Sequence, residues 1–138
     1  LGEEIAPETT FDGAEALLDS LHAAGFLLAV ATGKSRRGLD RAFEQTGLGA
    51  YFHASRCADE SFSKPHPQML EEILTDLDTP SSRAIVVGDT EYDMQMAANA
   101  RVAAVGVTHG VHSRERLEAH GAAACFGDLH QLSTWLHG

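Results

Sequence analysis

The sequence predicts an α/β fold, with a parallel sheet covered by helices on both faces in three αβα layers. Phe26 to Ala31, Ala84 to Val87 and Val102 to Val107 are apolar runs without polar alternation, the habit of strands buried on both sides. Stretches with apolar residues at helical spacing separate them, and that alternation implies repeated βα units. Polar residues gather directly after two of the runs, at Thr32-Gly33-Lys34-Ser35 and at Asp89-Thr90-Glu91, where open parallel sheets place their ligands. In this general sense the pattern is Rossmann-like.

Taken in order, Leu1 to Thr10 is acidic, contains Pro7 and has no period, so it reads as a linker into a domain over residues 11–138. Asp12 is a candidate N-cap for a helix carrying Ala14, Leu17, Leu18, Leu21 and Ala24, and Gly25 suits its left-handed end. After the Phe26–Ala31 strand, Leu39, Ala42 and Phe43 give the next helix its buried stripe and Gly47 stops it. Tyr51-Phe52 and Ser55 to Cys57 suggest a short, weakly specified strand. Ser61 to His66 reads as loop, and Pro67 fits a first helical position ahead of Leu70, Ile73, Leu74 and Leu77. Pro80-Ser81-Ser82 then turns the chain into the central strand, Ala84 to Val87.

Beyond Asp89, Met94, Ala97 and Ala98 mark a helix whose small residues allow close packing on a sheet. Val102 to Val107 is the next strand, His109-Gly110 a turn, and Arg114 to His120 a short polar helix ended by Gly121. Ala124 to Phe126 reads as an edge strand, and Leu129, Leu132 and Leu136 place a terminal amphipathic helix.

The composition narrows the function classes. A hydrophobic content of 43% with 22% charged residues is that of an ordinary globular protein, and 138 residues suffice for one core. The formal net charge of −10 argues against nucleic acid and anionic membrane surfaces as partners. No apolar run approaches the ~20 residues that span a bilayer. Cys57 and Cys125 lack metal-ligand spacing and suit free thiols in a reducing compartment such as the cytoplasm. The eight histidines are scattered, so zinc is not expected.

Asp89 and Asp93 lie four residues apart at the end of the central strand. Spacing alone leaves two readings open. In one, Asp89 caps the helix and Asp93 is a solvated acid in its first turn. In the other, the two carboxylates offer hard oxygen ligands to a cation, Mg²⁺ above all. Thr32 and the Gly33 N–H stand at a helix start, able to donate to phosphate oxygens. Lys64, in the proline-stiffened loop Ser63-Lys64-Pro65-His66-Pro67, offers a point charge. A hydroxyl with adjacent N–H groups, an ammonium and a metal-binding carboxylate pair are the parts that a phosphoryl group requires.

Ala31-Thr32-Gly33-Lys34, Lys64-Pro65-His66-Pro67 and Gly88-Asp89-Thr90-Glu91-Tyr92-Asp93 resemble motifs two, three and four of the haloacid dehalogenase (HAD) superfamily. The likeness covers nearly the whole chain and is strongest to phosphatases of the phosphoglycolate-phosphatase type. It implies a HAD core fold and hydrolysis of a small phosphorylated substrate through an aspartyl-phosphate, with Mg²⁺ as cofactor. It also implies that Thr32, Gly33 and Lys34 bind phosphate, that Lys64 steadies the nucleophile and the phosphoryl group, that Asp89 coordinates Mg²⁺ and that Asp93 supports it. Gly33 departs from the asparagine of many relatives, which keeps the backbone donor and loses a side-chain contact.

The larger departure is motif one, the strand-borne DxDx[TV] that supplies the nucleophile, which has no counterpart here. By the same resemblance, Leu1 to Thr10 corresponds to the linker returning from a cap, and residues 11–138 to a HAD core incomplete at its N-terminus. Such a chain is expected to be inactive alone. The strands ending at Thr32 and Asp89 are then expected to lack the neighbour between them, which favours self-association through strand edges. A receiver-type signalling domain uses similar groups in another order, and a nucleotide-binding Rossmann domain requires a GxGxxG that is absent. A non-catalytic phosphate- and Mg²⁺-binding relative remains the alternative. Lys34, Arg36, Arg37 and Arg41 form a basic cluster that is either a solvated helix face or a local field for an anionic ester. Glu91 and Tyr92, beside the acids, are further candidates for substrate contact.

Overall fold

A computed structural model describes residues 14–62, 64–108 and 113–138. Asp12, the linker 1–10 and the turn at His109-Gly110 lie outside the described residues. The elements run α1 (Ala14–Ala23), β1 (Ala29–Ala31), α2 (Arg36–Thr46), β2 (Ala54–Arg56), α3 (Gln68–Asp76), β3 (Ile85–Gly88), α4 (Glu91–Asn99), β4 (Ala103–Val107), α5 (Arg114–Ala119), β5 (Cys125–Phe126) and α6 (Leu129–His137). Every pairing among the described strands is parallel, as the βα alternation predicts. The described strands form two sheets, β1–β2 and β3–β4–β5.

The side chains explain the layers. Along β3 and β4, Val86 and Ala104 face one way, into a cluster with Met69, Leu70 and Ile73 of α3, Met94, Met96 and Ala97 of α4, and Leu117 of α5. Their neighbours Val87, Val105 and Val107 face the other way, against Leu17, Leu18 and Leu21 of α1 and Leu129 and Leu132 of α6. Side chains of a strand alternate with a period of two, so one sheet serves two helix layers. Ala29, Ala31 and Val86 share the first cluster, so both sheets rest on the same helix layer. All three methionines of the chain are in that cluster, each at most 1% exposed.

Several boundaries differ from expectation, for local reasons. The first strand is only Ala29–Ala31, because Phe26 and Leu27 are 41% and 52% exposed and make no ladder. The central strand begins at Ile85, itself 39% exposed, so only Val86, Val87 and Gly88 of its four residues are buried. Tyr51 closes a 3-10 turn over Leu48–Tyr51 rather than joining β2. Pro67 is the N-cap of α3, one position before the first helical residue. Gly25, Gly47 and Gly121 adopt positive φ of 92°, 72° and 110° where helices were expected to end.

Cys57 and Cys125 are free and buried. Burial pushes the Cys57 thiol up to about 11 and raises that of Cys125. A raised thiol stays protonated, and the thiolate is the nucleophile. At pH 8 iodoacetamide is therefore expected to leave both cysteines of the native protein unmodified and to label both after denaturation, as read by intact-mass spectrometry.

Candidate active site

The turn after β3 is built by Gly88, Thr90 and Asp93. Thr90 is the N-cap of α4: its hydroxyl accepts the Asp93 N–H at 3.3 Å, and Asp93 Oδ2 accepts the Thr90 N–H at 3.3 Å and O–H at 2.9 Å. This reciprocal capping box takes the role that the simpler reading gave to Asp89. Asp89 is half-buried at the strand end. Asp93 is no solvated first-turn acid, because its side chain is 0% exposed. Its other oxygen, Oδ1, accepts a charge-assisted bond from Lys64 Nζ at 2.5 Å, and Lys64 is itself only 7% exposed. The negative charge of Asp93, four residues from that of Asp89, is thus balanced by an ammonium from the loop before α3.

That loop is held on several sides. The Phe62 N–H donates to Gln68 Oε1 at 2.9 Å, and Asn99 Nδ2 at the end of α4 donates to the Pro65 carbonyl at 3.0 Å. The Lys64–Pro65 peptide is cis. Ser61 donates to Glu72, which with Asp76 also pairs with Arg56 of β2. Lys64 therefore reaches Asp93 from a loop anchored to both α3 and α4.

Thr32 ends β1, fully buried, and its N–H donates to the Arg56 carbonyl of β2 at 3.1 Å. Its Oγ1 accepts the Lys34 N–H at 3.1 Å, while Ser35 rather than Thr32 caps α2. Thr32 thus shapes the turn, Gly33 is exposed on it, and Lys34 is half-buried behind it. The structure joins Lys64 directly to Asp93 and places Thr32 at the end of the strand beside β2.

An Asp-x-Asp spacing does occur once, at Asp76-Leu77-Asp78, but it terminates a helix rather than a strand. Asp76 pairs with Arg56, and Asp78 has a φ of 50° in the turn that follows. It is no substitute for motif one.

The basic cluster is largely neutralised. Arg36 donates to both Glu60 oxygens, at 3.0 and 2.8 Å, and to Ser55 Oγ at 2.9 Å, and lies 3.6 Å from Asp40. The hydrogen bond to Glu60 raises the Arg36 pKa, and the same bond lowers that of Glu60. Arg37 and Arg41 line a shallow groove of about 540 Å³ in which Asp40, Glu44 and Asp59 interleave with them. Cys57, Asp59 and Glu60 bring potential metal ligands together, but Glu60 is bonded to Arg36 and Asp59 accepts the Arg36 N–H at 3.0 Å.

Sequence reasoning passed over Thr90 and Asn99. The first was legible, since Thr90-x-x-Asp93 is a capping-box spacing; nothing in the sequence pointed to the second. Both oxygens of Asp93 are engaged, by Lys64 and Thr90, which leaves the half-buried Asp89 carboxylate as the hard oxygen group of this turn that suits a divalent cation.

The family model for haloacid dehalogenase-like hydrolases matches residues 4–107. The chain belongs to this family. A protein described as probable phosphatase IndB, from Dickeya dadantii, is 37% identical to this HAD chain over 115 residues, 83% of the chain and 50% of the relative. The phosphoglycolate phosphatase of Rhodospirillum rubrum is 33% identical over 135 residues, 97% of the chain and 56% of the relative. A crystal structure of a predicted phosphatase from Clostridium acetobutylicum superposes with a TM-score of 0.86 at 32% identity, covering 94% of this chain and 60% of that one. The HAD chain spans about half the length of the curated relatives it matches.

Two outcomes test this geometry. A Cβ on Gly88 would lie 2.3 Å from Asp93 Cβ, so G88A is expected to cost about 1–3 kcal/mol in urea denaturation. Removing the ammonium with K64M leaves the Asp93 carboxylate buried without its counter-charge, at a cost of about 3 kcal/mol. In a double-mutant cycle with D93N the two losses should fall short of additivity by about 1–3 kcal/mol. Additive losses would show that the pair carries no coupling.

Proposed function

We propose that this chain forms the phosphate- and cation-binding part of a Mg²⁺-dependent phosphatase that hydrolyses a small phosphate monoester. The observation that carries this reading is Lys64, nearly buried and locked 2.5 Å from Asp93 at the strand end that bears Asp89. A solvated surface lysine has no such partner or burial. The family relatives named above, two of them described as phosphatases of unstated substrate and one as acting on phosphoglycolate, support the reaction class.

In this reading the Gly33 N–H and Lys34 meet the phosphate at the end of β1, and buried Thr32 sets the shape of their turn. Lys64, aimed by Asp93, places its ammonium where charge builds on the transferring group. Asp89 would hold Mg²⁺, which supplies charge neutralisation at the phosphoryl oxygens. The nucleophilic carboxylate that family resemblance implies has no DxDx[TV] counterpart in these 138 residues, so the chain by itself is expected to be inactive.

The test is phosphate release by the full-length protein from p-nitrophenyl phosphate, phosphoglycolate and pyrophosphate, with Mg²⁺ or with EDTA. Release from at least one substrate is expected with Mg²⁺, lost in EDTA and reduced about 10²- to 10³-fold in K64R, which keeps the charge and moves it. Activity unaffected by EDTA, or none with any phosphate ester, would overturn the reading.

A further inference from the structure

Glu91 is the first residue of α4, two positions beyond Asp89, and its side chain is only 12% exposed. An acid in a first turn is explained by the helix dipole, but such a residue is ordinarily solvated. Here both carboxylate oxygens face nitrogens from another element. Arg116 Nη2 of α5 lies 2.7 Å from Oε1, and His120 Nε2, at the C-cap of α5, lies 3.1 Å from Oε2. The opposite ring nitrogen of His120 lies 2.8 Å from the Arg116 carbonyl, a contact that ties the imidazole to α5.

Those groups stand on a fixed base. Leu117 of α5 is fully buried, and Gly106 of β4 lets it approach so closely that an added Cβ would lie 2.8 Å from its Cδ1. Ser113 caps α5 by accepting the Arg116 N–H at 3.3 Å. Sheet, α5 and the Glu91 carboxylate are thus linked in series. Thr90 lies between Glu91 and Asp89, and its N–H, on the peptide shared with Asp89, donates to Asp93 Oδ2 at 3.3 Å, so that peptide is tied to the same first turn of α4 that carries Glu91.

We propose that Glu91, gripped by Arg116 and His120, is a positioning residue that fixes the Asp89 carboxylate for its divalent cation. The proposal rests on the Mg²⁺-phosphatase reading above and adds to it three residues that touch neither substrate nor metal. Glu91 is thereby assigned to the clamp rather than to substrate contact.

The test is calorimetric titration of the full-length protein with Mg²⁺ alone, set beside melting midpoints in metal-free buffer. E91Q and R116A are expected to raise the Mg²⁺ Kd about tenfold, the order seen when groups supporting a ligand are removed. Their metal-free midpoints should stay within about 3 °C of the unsubstituted protein, since Arg116 is itself 50% exposed and a solvent-screened ion pair contributes little to stability. R116K should recover most of the affinity, because Arg116 reaches Glu91 through one nitrogen that an ammonium can replace. D89N serves as the reference and should abolish binding. If D89N abolishes binding while E91Q and R116A bind Mg²⁺ like the unsubstituted protein, the clamp is refuted and the phosphatase reading stands. Affinity losses that merely track lower metal-free midpoints also refute it, as a purely structural role. If the unsubstituted protein binds no Mg²⁺, or D89N binds it undiminished, the underlying reading fails and the clamp with it.

Discussion

The structure turns on one buried ion pair. Lys64 and Asp93 are 7% and 0% exposed, and removing either from water is costly unless the other is present in good geometry. Most of the local architecture supplies that geometry. Thr90 occupies the second oxygen of Asp93, Gly88 makes room for its side chain, and Asn99 and Gln68 hold the lysine loop from two helices. A pair of this kind does little for net stability against a well-packed apolar alternative. Its effect is to specify how α3, α4 and the end of β3 meet, which is what a site at that edge requires.

A second tier of charge pairs surrounds the first and is more exposed. Arg36 binds Glu60 and Ser55, Arg56 binds Glu72 and Asp76, and Arg116 binds Glu91. Each joins the segment after one strand to a neighbouring element. Their individual energies are small because solvent screens them. Together they brace the loops at the strand ends against the rigid αβα layers beneath.

Much of the fold was legible in the sequence because it depends on local pattern. Apolar runs gave the parallel strands, and Gly25, Gly47 and Gly121 end helices where their positions suggested. The features that local pattern left open are those decided by a partner distant in the chain. Nothing near Lys64 announces that its partner lies 29 residues on, and nothing near Arg36 announces Glu60, 24 residues away. The basic cluster therefore stayed open between a solvated helix face and a positive field, when most of Arg36 was already committed to Glu60 and Ser55. Phe26 and Leu27 looked like strand because hydrophobicity was read as burial, and the described residues leave both on the surface. The capping box at Thr90 was the one site feature that local spacing could have revealed and that was passed over in favour of Asp89.

The placement of all three methionines in the helix layer beneath the Lys64–Asp93 pair has a practical consequence. Met69 stands on α3, while Met94 and Met96 stand on α4, so the unbranched thioethers all lie in the cluster on one face of the sheets. Isotope labelling at methionine methyl groups would illuminate that layer alone, with no signal from the opposite face of the sheet. The protein thereby carries its own spectroscopic window onto the foundation of its charged rim.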